Sequence, residues 1–154
     1  MTGGRVNIHA TAIVIGEAGL LFVGPSGIGK SMTAFNCLAA ARRAGAFGAL
    51  VADDQVFVSH KDGVLTAECP EAIAGLIEIR GSGIARLPHV PAAAIHLAVL
   101  LVDQENSDRL PPEQEAFDLP GIGTVPQLRM VQGVSEPLSI IAAFHPHIGI
   151  PAPF

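Results

Sequence analysis

β-Branched residues crowd the stretch from Arg5 to Ile15 (Val6, Ile8, Thr11, Ile13, Val14, Ile15), which predicts a β-strand. Gly16-Glu17-Ala18-Gly19 then reads as a turn into a shorter apolar run, Gly19-Leu20-Leu21-Phe22-Val23, so the N-terminal region predicts a hairpin whose second arm is buried. Met32 to Arg43 is dense in helix formers and stops at Gly45, predicting a helix that follows directly on a glycine-rich turn. Gly48-Ala49-Leu50-Val51-Ala52 predicts a buried strand ending at Asp53-Asp54. Val56-Phe57-Val58 and Val64-Leu65-Thr66, joined through Lys61-Asp62-Gly63, predict a hairpin. Two further strands are expected at Leu76 to Ile79 and Ala94 to Val102, the second long and apolar. Gln104 to Ile122 is polar and proline-rich and reads as a long mobile loop. Ser135-Glu136-Pro137 opens a short closing helix, Pro137 to Phe144, ended by Pro146 and Gly149.

Strands and helices mixed in this way predict an α/β domain, and 154 residues suit a single one spanning 1–154. Apolar residues make up 49% and charged residues 15%, with no Trp or Tyr, so the core is built from Ala, Val, Ile, Leu and seven Phe. Val90 to Val102 is the longest apolar candidate, but it carries Pro91 and His96 and falls short of the ~20 residues a membrane helix needs. No basic segment followed by an apolar one opens the chain. Cys37 and Cys69 read as unpaired thiols, so a cytoplasmic setting without membrane attachment is expected. The net charge of −5, with scattered Lys and Arg, argues against nucleic acid as a partner. Acid gathers at Asp103, Glu105, Asp108, Glu113, Glu115 and Asp118 around Arg109, either a solvated loop or a docking surface for a basic partner.

The chemistry is carried by Gly24-Pro25-Ser26-Gly27-Ile28-Gly29-Lys30-Ser31, which fits G-x-x-x-x-G-K-[ST] between an apolar strand and a helix. In such a loop the glycines turn backbone N–H groups inward around phosphates and the helix N-terminus adds a favourable dipole. Lys30 then reaches the terminal phosphates and the Ser31 hydroxyl can ligate magnesium. Phosphoryl transfer also needs a carboxylate for magnesium and, for a hydroxyl acceptor, a group to take its proton. Asp53-Asp54 sits at the end of the next strand, where such carboxylates belong. Neighbours on a strand point to opposite faces, so the two should differ in role unless the chain bends there. Glu78 and Arg80, two apart on one strand face before Gly81-Ser82-Gly83, would suit magnesium and phosphate respectively, or form a surface ion pair.

Taken in order, Ile8-His9, Gly24 to Ser31, Val51-Ala52-Asp53-Asp54, Ile77 to Ile84 and Asp108-Arg109-Leu110 resemble the catalytic domain of bacterial HPr kinase/phosphorylase. That family comprises P-loop protein kinases acting on a serine of the sugar-phosphotransferase carrier HPr. The resemblance implies a P-loop kinase-like central sheet with hairpins, one P-loop helix and a short C-terminal helix, with ATP and magnesium as cofactors and HPr as partner. It implies His9 as the histidine near the phosphates, Asp54 as general base toward the serine and general acid in reverse, Glu78 as a magnesium ligand, and Arg80 as needed in both directions. Asp53 is kept beside Ser31 and Glu78 as a metal candidate. Longer members carry an N-terminal domain before this region, and assembly into a homo-oligomer is left open. The family's arginine in a basic turn before the last helix has no counterpart in Val131-Gln132-Gly133-Val134-Ser135-Glu136-Pro137, which disfavours phosphorolysis of phosphoserine unless Arg129 substitutes. The rival readings are a small-molecule P-loop kinase related to nucleotide-dependent carboxykinases, needing an enclosed acceptor pocket, and a nucleotide-sensing module without transfer.

Overall fold

The computed structural model describes residues 4–105, 107 and 109–150. The strands are β1 (Val6–Ile8), β2 (Thr11–Ile15), β3 (Ala18–Val23), β4 (Gly48–Ala52), β5 (Val56–Lys61), β6 (Val64–Glu68), β7 (Leu76–Ile79), β8 (Gly83–Arg86), β9 (Ala92–Ala94), β10 (Leu97–Val102), β11 (Ala116–Leu119) and β12 (Gly123–Val131). The helices are α1 (Lys30–Arg43) and α2 (Pro137–Phe144). Six strands lie in the order β11-β12-β10-β3-β2-β4, four in the order β1-β5-β6-β9, and β7 and β8 form a separate hairpin. Within the six-stranded sheet β3, β10 and β12 run parallel, while β2, β4 and β11 run antiparallel to their neighbours.

Alternation along β3 explains the layering. Leu20 and Phe22 face one way and join Ala34, Cys37 and Ala41 of α1 and Leu138 and Ile141 of α2; Leu21 and Val23 face the other way and meet Val56, Val58, Leu65 and Ala67 of the smaller sheet. The six-stranded sheet is thus covered on both faces, which is why β2 and β3 are buried at every position. Among the described residues no helix is long and apolar enough to cross a membrane.

Three sequence expectations are corrected. Arg5 to Ile15 is not one strand: β1 pairs with β5 in the smaller sheet and β2 with β3 and β4 in the larger, the chain changing sheets at His9-Ala10. Ala94 to Val102 likewise divides, β9 pairing with β6 and β10 with β3. That second crossing rests on Gly19. His96 donates its backbone N–H to Gly19 O at 2.9 Å and accepts the Gly19 N–H on Nδ1 at 3.0 Å. A Cβ on Gly19 would lie 1.7 Å from Ala94 O, so only glycine lets the two segments approach. Third, the span from Gln104 to Ile122 contains β11, which pairs with β12, a strand the periodicity did not reveal. The hairpin partner β8 was also unforeseen.

Candidate active site

The strand order alone forces two segments together. β1 runs antiparallel to β5 with Ile8 opposite Val56, and β2 runs antiparallel to β4 with Ala12 opposite Ala52. Residues 9–10 and 53–55 are therefore the paired crossings from one sheet to the other and must face each other. His9 Nε2 lies 2.5 Å from Asp54 Oδ1, both side chains half or more exposed. Thr11 Oγ1 donates to Asp53 Oδ1 at 2.8 Å, and both residues are buried.

The adjacent aspartates separate as the strand geometry suggested they should, though through a bend. Asp54 takes φ 74°, a left-handed conformation that Asp tolerates better than most residues, and this turns its carboxylate out toward solvent. Asp53 is 5% exposed. Its Oδ1 also accepts from Ser31 Oγ at 2.6 Å and its Oδ2 from the Glu78 N–H at 3.0 Å, so the carboxylate ties together β2, the start of α1 and β7.

The loop from Gly24 to Gly29 leads from β3 into α1, and Gly24, Gly27 and Gly29 all take positive φ, as side-chain-bearing residues rarely can. Lys30 is buried at the helix start and donates from Nζ to Gly24 O at 2.9 Å and Pro25 O at 3.0 Å. Burial pushes its ammonium below the ordinary value of 10.5, opposed by the charges of Asp54 and Asp53. Arg80, in the turn after β7, extends toward the loop. Its Nη2 is 3.6 Å from where a Gly27 Cβ would stand.

These groups surround a cleft of about 670 Å³, lined by His9, Thr11, Ser26 to Thr33, Asn36, Asp54, Glu78, Arg80, Gly81 and Gln132 to Val134. It lies at the carboxyl ends of the parallel strands β3 and β12, where open α/β sheets bind ligands. Asp53 sits behind the wall. Among the described residues no three His, Cys, Asp or Glu side chains converge closely enough to hold a metal by themselves. The hydroxyl of Ser31 and the carboxylates of Glu78 and Asp54 still offer hard oxygen donors beside a phosphate loop, the donor set magnesium takes when it shares its coordination with phosphates and water.

His9, the loop Gly24 to Ser31, Asp54, Glu78 and Arg80 are thus brought together, and Asp53 stands one layer beneath them. Arg129 is not in the cleft: its Nε and Nη2 donate at 2.7 Å to the two carboxylate oxygens of Glu115, which also holds that carboxyl below its usual range. Asp108 lies outside the described residues, and Arg109 and Leu110 are exposed away from the lining. The residue that the sequence pattern does not single out is Thr11, whose one signal is a polar side chain in a strand otherwise apolar and wholly buried.

Residues 3–131 match the family model described as the HPr serine kinase C-terminal domain. An HPr kinase/phosphorylase of Streptococcus thermophilus (strain ATCC BAA-491 / LMD-9) is 33% identical over 148 residues, covering 89% of this chain and 46% of the relative. One of Clostridium kluyveri (strain NBRC 12016) is 34% identical over 125 residues, covering 75% and 39%. The chain spans about half the length, or less, of these curated relatives. The solved structure of the Hpr(Ser) kinase/phosphatase from Coxiella burnetii superposes with a TM-score of 0.74 at 28% identity, covering 92% of this chain and 95% of that one. Its fold agrees with the α/β P-loop kinase-like sheet expected from the sequence. Since the matched region takes in the phosphate loop, the paired crossings and the β7–β8 hairpin together, the chain belongs to the HPr serine kinase C-terminal domain family.

Proposed function

We propose that this domain transfers the terminal phosphoryl group of ATP, with magnesium, to a serine of the phosphocarrier HPr, in the cytoplasm. The observation that carries the reading is the His9–Asp54 pair at the mouth of the cleft, facing Lys30 and the phosphate loop. A carboxylate in that place can accept the proton of an incoming hydroxyl while the hydroxyl oxygen bonds to phosphorus and ADP departs. His9 orients the carboxylate. Lys30 and the loop N–H groups hold the β- and γ-phosphates, Ser31 and Glu78 hold magnesium, and Arg80 meets charge that develops on the transferred group. When bound, magnesium neutralises phosphate charge and aligns the terminal phosphate.

The exposure of His9 and Asp54 favours a protein acceptor over a small molecule, because a serine carried on a protein surface must reach the base without being engulfed. The reverse reaction, attack of inorganic phosphate on phosphoserine to give pyrophosphate, must hold two anions at once. With Gln132 and Gly133 in the lining and Arg129 engaged by Glu115, phosphorylation should outpace phosphorolysis under matched conditions. Incubation with purified HPr, ATP and magnesium, followed by mapping of the modified residue, tests the forward reading. ATP consumed without HPr, or no phosphoserine formed, refutes it. Release of pyrophosphate from serine-phosphorylated HPr and millimolar phosphate at the forward rate would refute the directional claim.

A further inference from the structure

We propose that Thr11 is a positioning residue for magnesium: by donating to the Asp53 oxygen that also receives the Ser31 proton, it commits that carboxylate to orienting Ser31 and leaves direct contact with the cation to Ser31 and Glu78. The inference rests on the nucleotide and magnesium part of the proposed function.

A serine hydroxyl has one proton and two lone pairs, and a cation can use only the lone pairs. Whether Ser31 serves as a ligand therefore depends on where its proton points. The 2.6 Å bond to Asp53 Oδ1 draws that proton inward, away from the cleft that Ser31 lines, and its length is that of a charge-assisted O–H···O⁻ bond. The direction holds only while Oδ1 stays where it is. A carboxylate turns easily about its last torsion, and three donors from three elements prevent this: the Glu78 N–H fixes Oδ2, and Thr11 and Ser31 share Oδ1.

Of the three donors, the Glu78 N–H belongs to the backbone and Ser31 is the group being oriented. Thr11 is the side chain whose removal isolates the effect. It is 1% exposed, its β-branched side chain is stiff, and it sits on β2 beside the pairing of Ala12 with Ala52, which fixes its distance to Asp53. Valine would fill nearly the same space at this position. A buried hydroxyl in a strand that is otherwise apolar at every position costs free energy unless it serves an acceptor, and Asp53 is that acceptor.

The test measures equilibrium ATP binding to the intact chain as magnesium is titrated, alongside thermal melting, and needs neither HPr nor transfer. Partners that orient a metal ligand are commonly worth ~10–100-fold in metal affinity. Thr11→Val should therefore raise the magnesium concentration for half-maximal binding by about tenfold, leave ATP binding in excess chelator unchanged, and be rescued by Thr11→Ser to within about twofold. An unchanged magnesium requirement in Thr11→Val overturns the proposal. So does equal weakening with and without magnesium, which a merely structural role would give. Should Thr11→Val fail to fold, the Thr11→Ser and Thr11→Ala pair carries the test: the requirement must follow the hydroxyl, and equal values for the two overturn the proposal. Wild-type protein that binds no ATP at any magnesium concentration overturns the nucleotide site and this proposal with it. Failure of HPr as acceptor leaves these readings standing.

Discussion

Replacing each member of the Asp53-Asp54 pair by Asn should give two opposite phenotypes. In Asp53 both oxygens act as acceptors, Oδ1 for Thr11 and Ser31 and Oδ2 for the Glu78 N–H. Asparagine has one carbonyl oxygen and an NH₂ group. If its oxygen keeps the two hydroxyls, its NH₂ confronts the Glu78 N–H, donor against donor, inside the protein. A buried donor left without an acceptor costs ~1–3 kcal/mol, and the two surviving bonds each fall from charge-assisted to neutral strength, roughly another 1 kcal/mol apiece. Relief of the buried charge returns part of this, leaving a loss of roughly 2–4 kcal/mol. For a domain of this size that is a fall in Tm on the order of 5–15 °C.

Asp54 differs in every term. Its side chain is 64% exposed, its partner is His9, and its left-handed backbone suits Asn nearly as well as Asp. Asp54→Asn should melt with the wild type and bind ATP normally, while transfer to HPr falls by ~10²–10⁴-fold, the usual worth of a general base. Thermal melting, ATP binding and single-turnover transfer on the two variants decide the matter. If Asp53→Asn melted with the wild type, or Asp54→Asn transferred within tenfold of it, the division of roles would be wrong.

Glu78→Gln should raise the magnesium needed for half-maximal transfer without altering ATP binding in chelator, because the amide keeps an oxygen but loses the charge a hard cation prefers; an unchanged magnesium titration would remove Glu78 from the metal site. The Lys30 ammonium titrates below 10.5 because burial disfavours its charge, so between that lowered value and 10.5 the unfolded chain binds the proton more than the folded one. Stability should then rise with pH through that window relative to Lys30→Met, a difference that denaturant titrations at several pH values would detect and whose absence would contradict the burial argument. Gly19→Ala should destabilise by ~1–3 kcal/mol or more, since its Cβ would meet the backbone oxygen of Ala94 at 1.7 Å, and a melt within a degree of wild type would show that the crossing at His96 yields easily.

The elements legible in the sequence are those whose signal is local. The glycine-rich turn between an apolar run and a helix located β3 and α1, and Gly48–Ala52 and Pro137–Phe144 fall where their flanking turn residues put them. The β12 strand was hidden because Pro126 and the polar Thr124 and Gln127 read as loop. It persists because β10 holds Gln127 to Val131 in a parallel ladder, while Gly123 to Pro126 pair with β11, Pro126 standing opposite Ala116 at the start of that short edge strand. The changes of sheet were hidden for a different reason. A strand alternates with period two whichever sheet it joins, so an apolar run carries no mark of where the chain leaves one ladder for another.

That blind spot falls on the site itself. The chain crosses between sheets at His9-Ala10 and again at Asp53 to Gln55, and because β1 pairs with β5 and β2 with β4, the two crossings lie side by side. Residues at a crossing are released from the ladder that dictates side-chain direction within a strand, so Asp54 can take a positive φ and turn outward while Asp53 turns inward to Thr11 and Ser31. The Asn7 amide of β1 donates to Gln55 Oε1 at 3.3 Å and ties the second crossing to the strand that leads into the first. Sequence spacing separates His9 from Asp54 by more than forty positions, and only the strand order makes them neighbours. The pairing of the two ladders and the pairing of Asp54 with His9 are thus one structural fact. A substitution that slipped the β2–β4 register by a residue would separate both contacts at once, even with every cleft side chain intact.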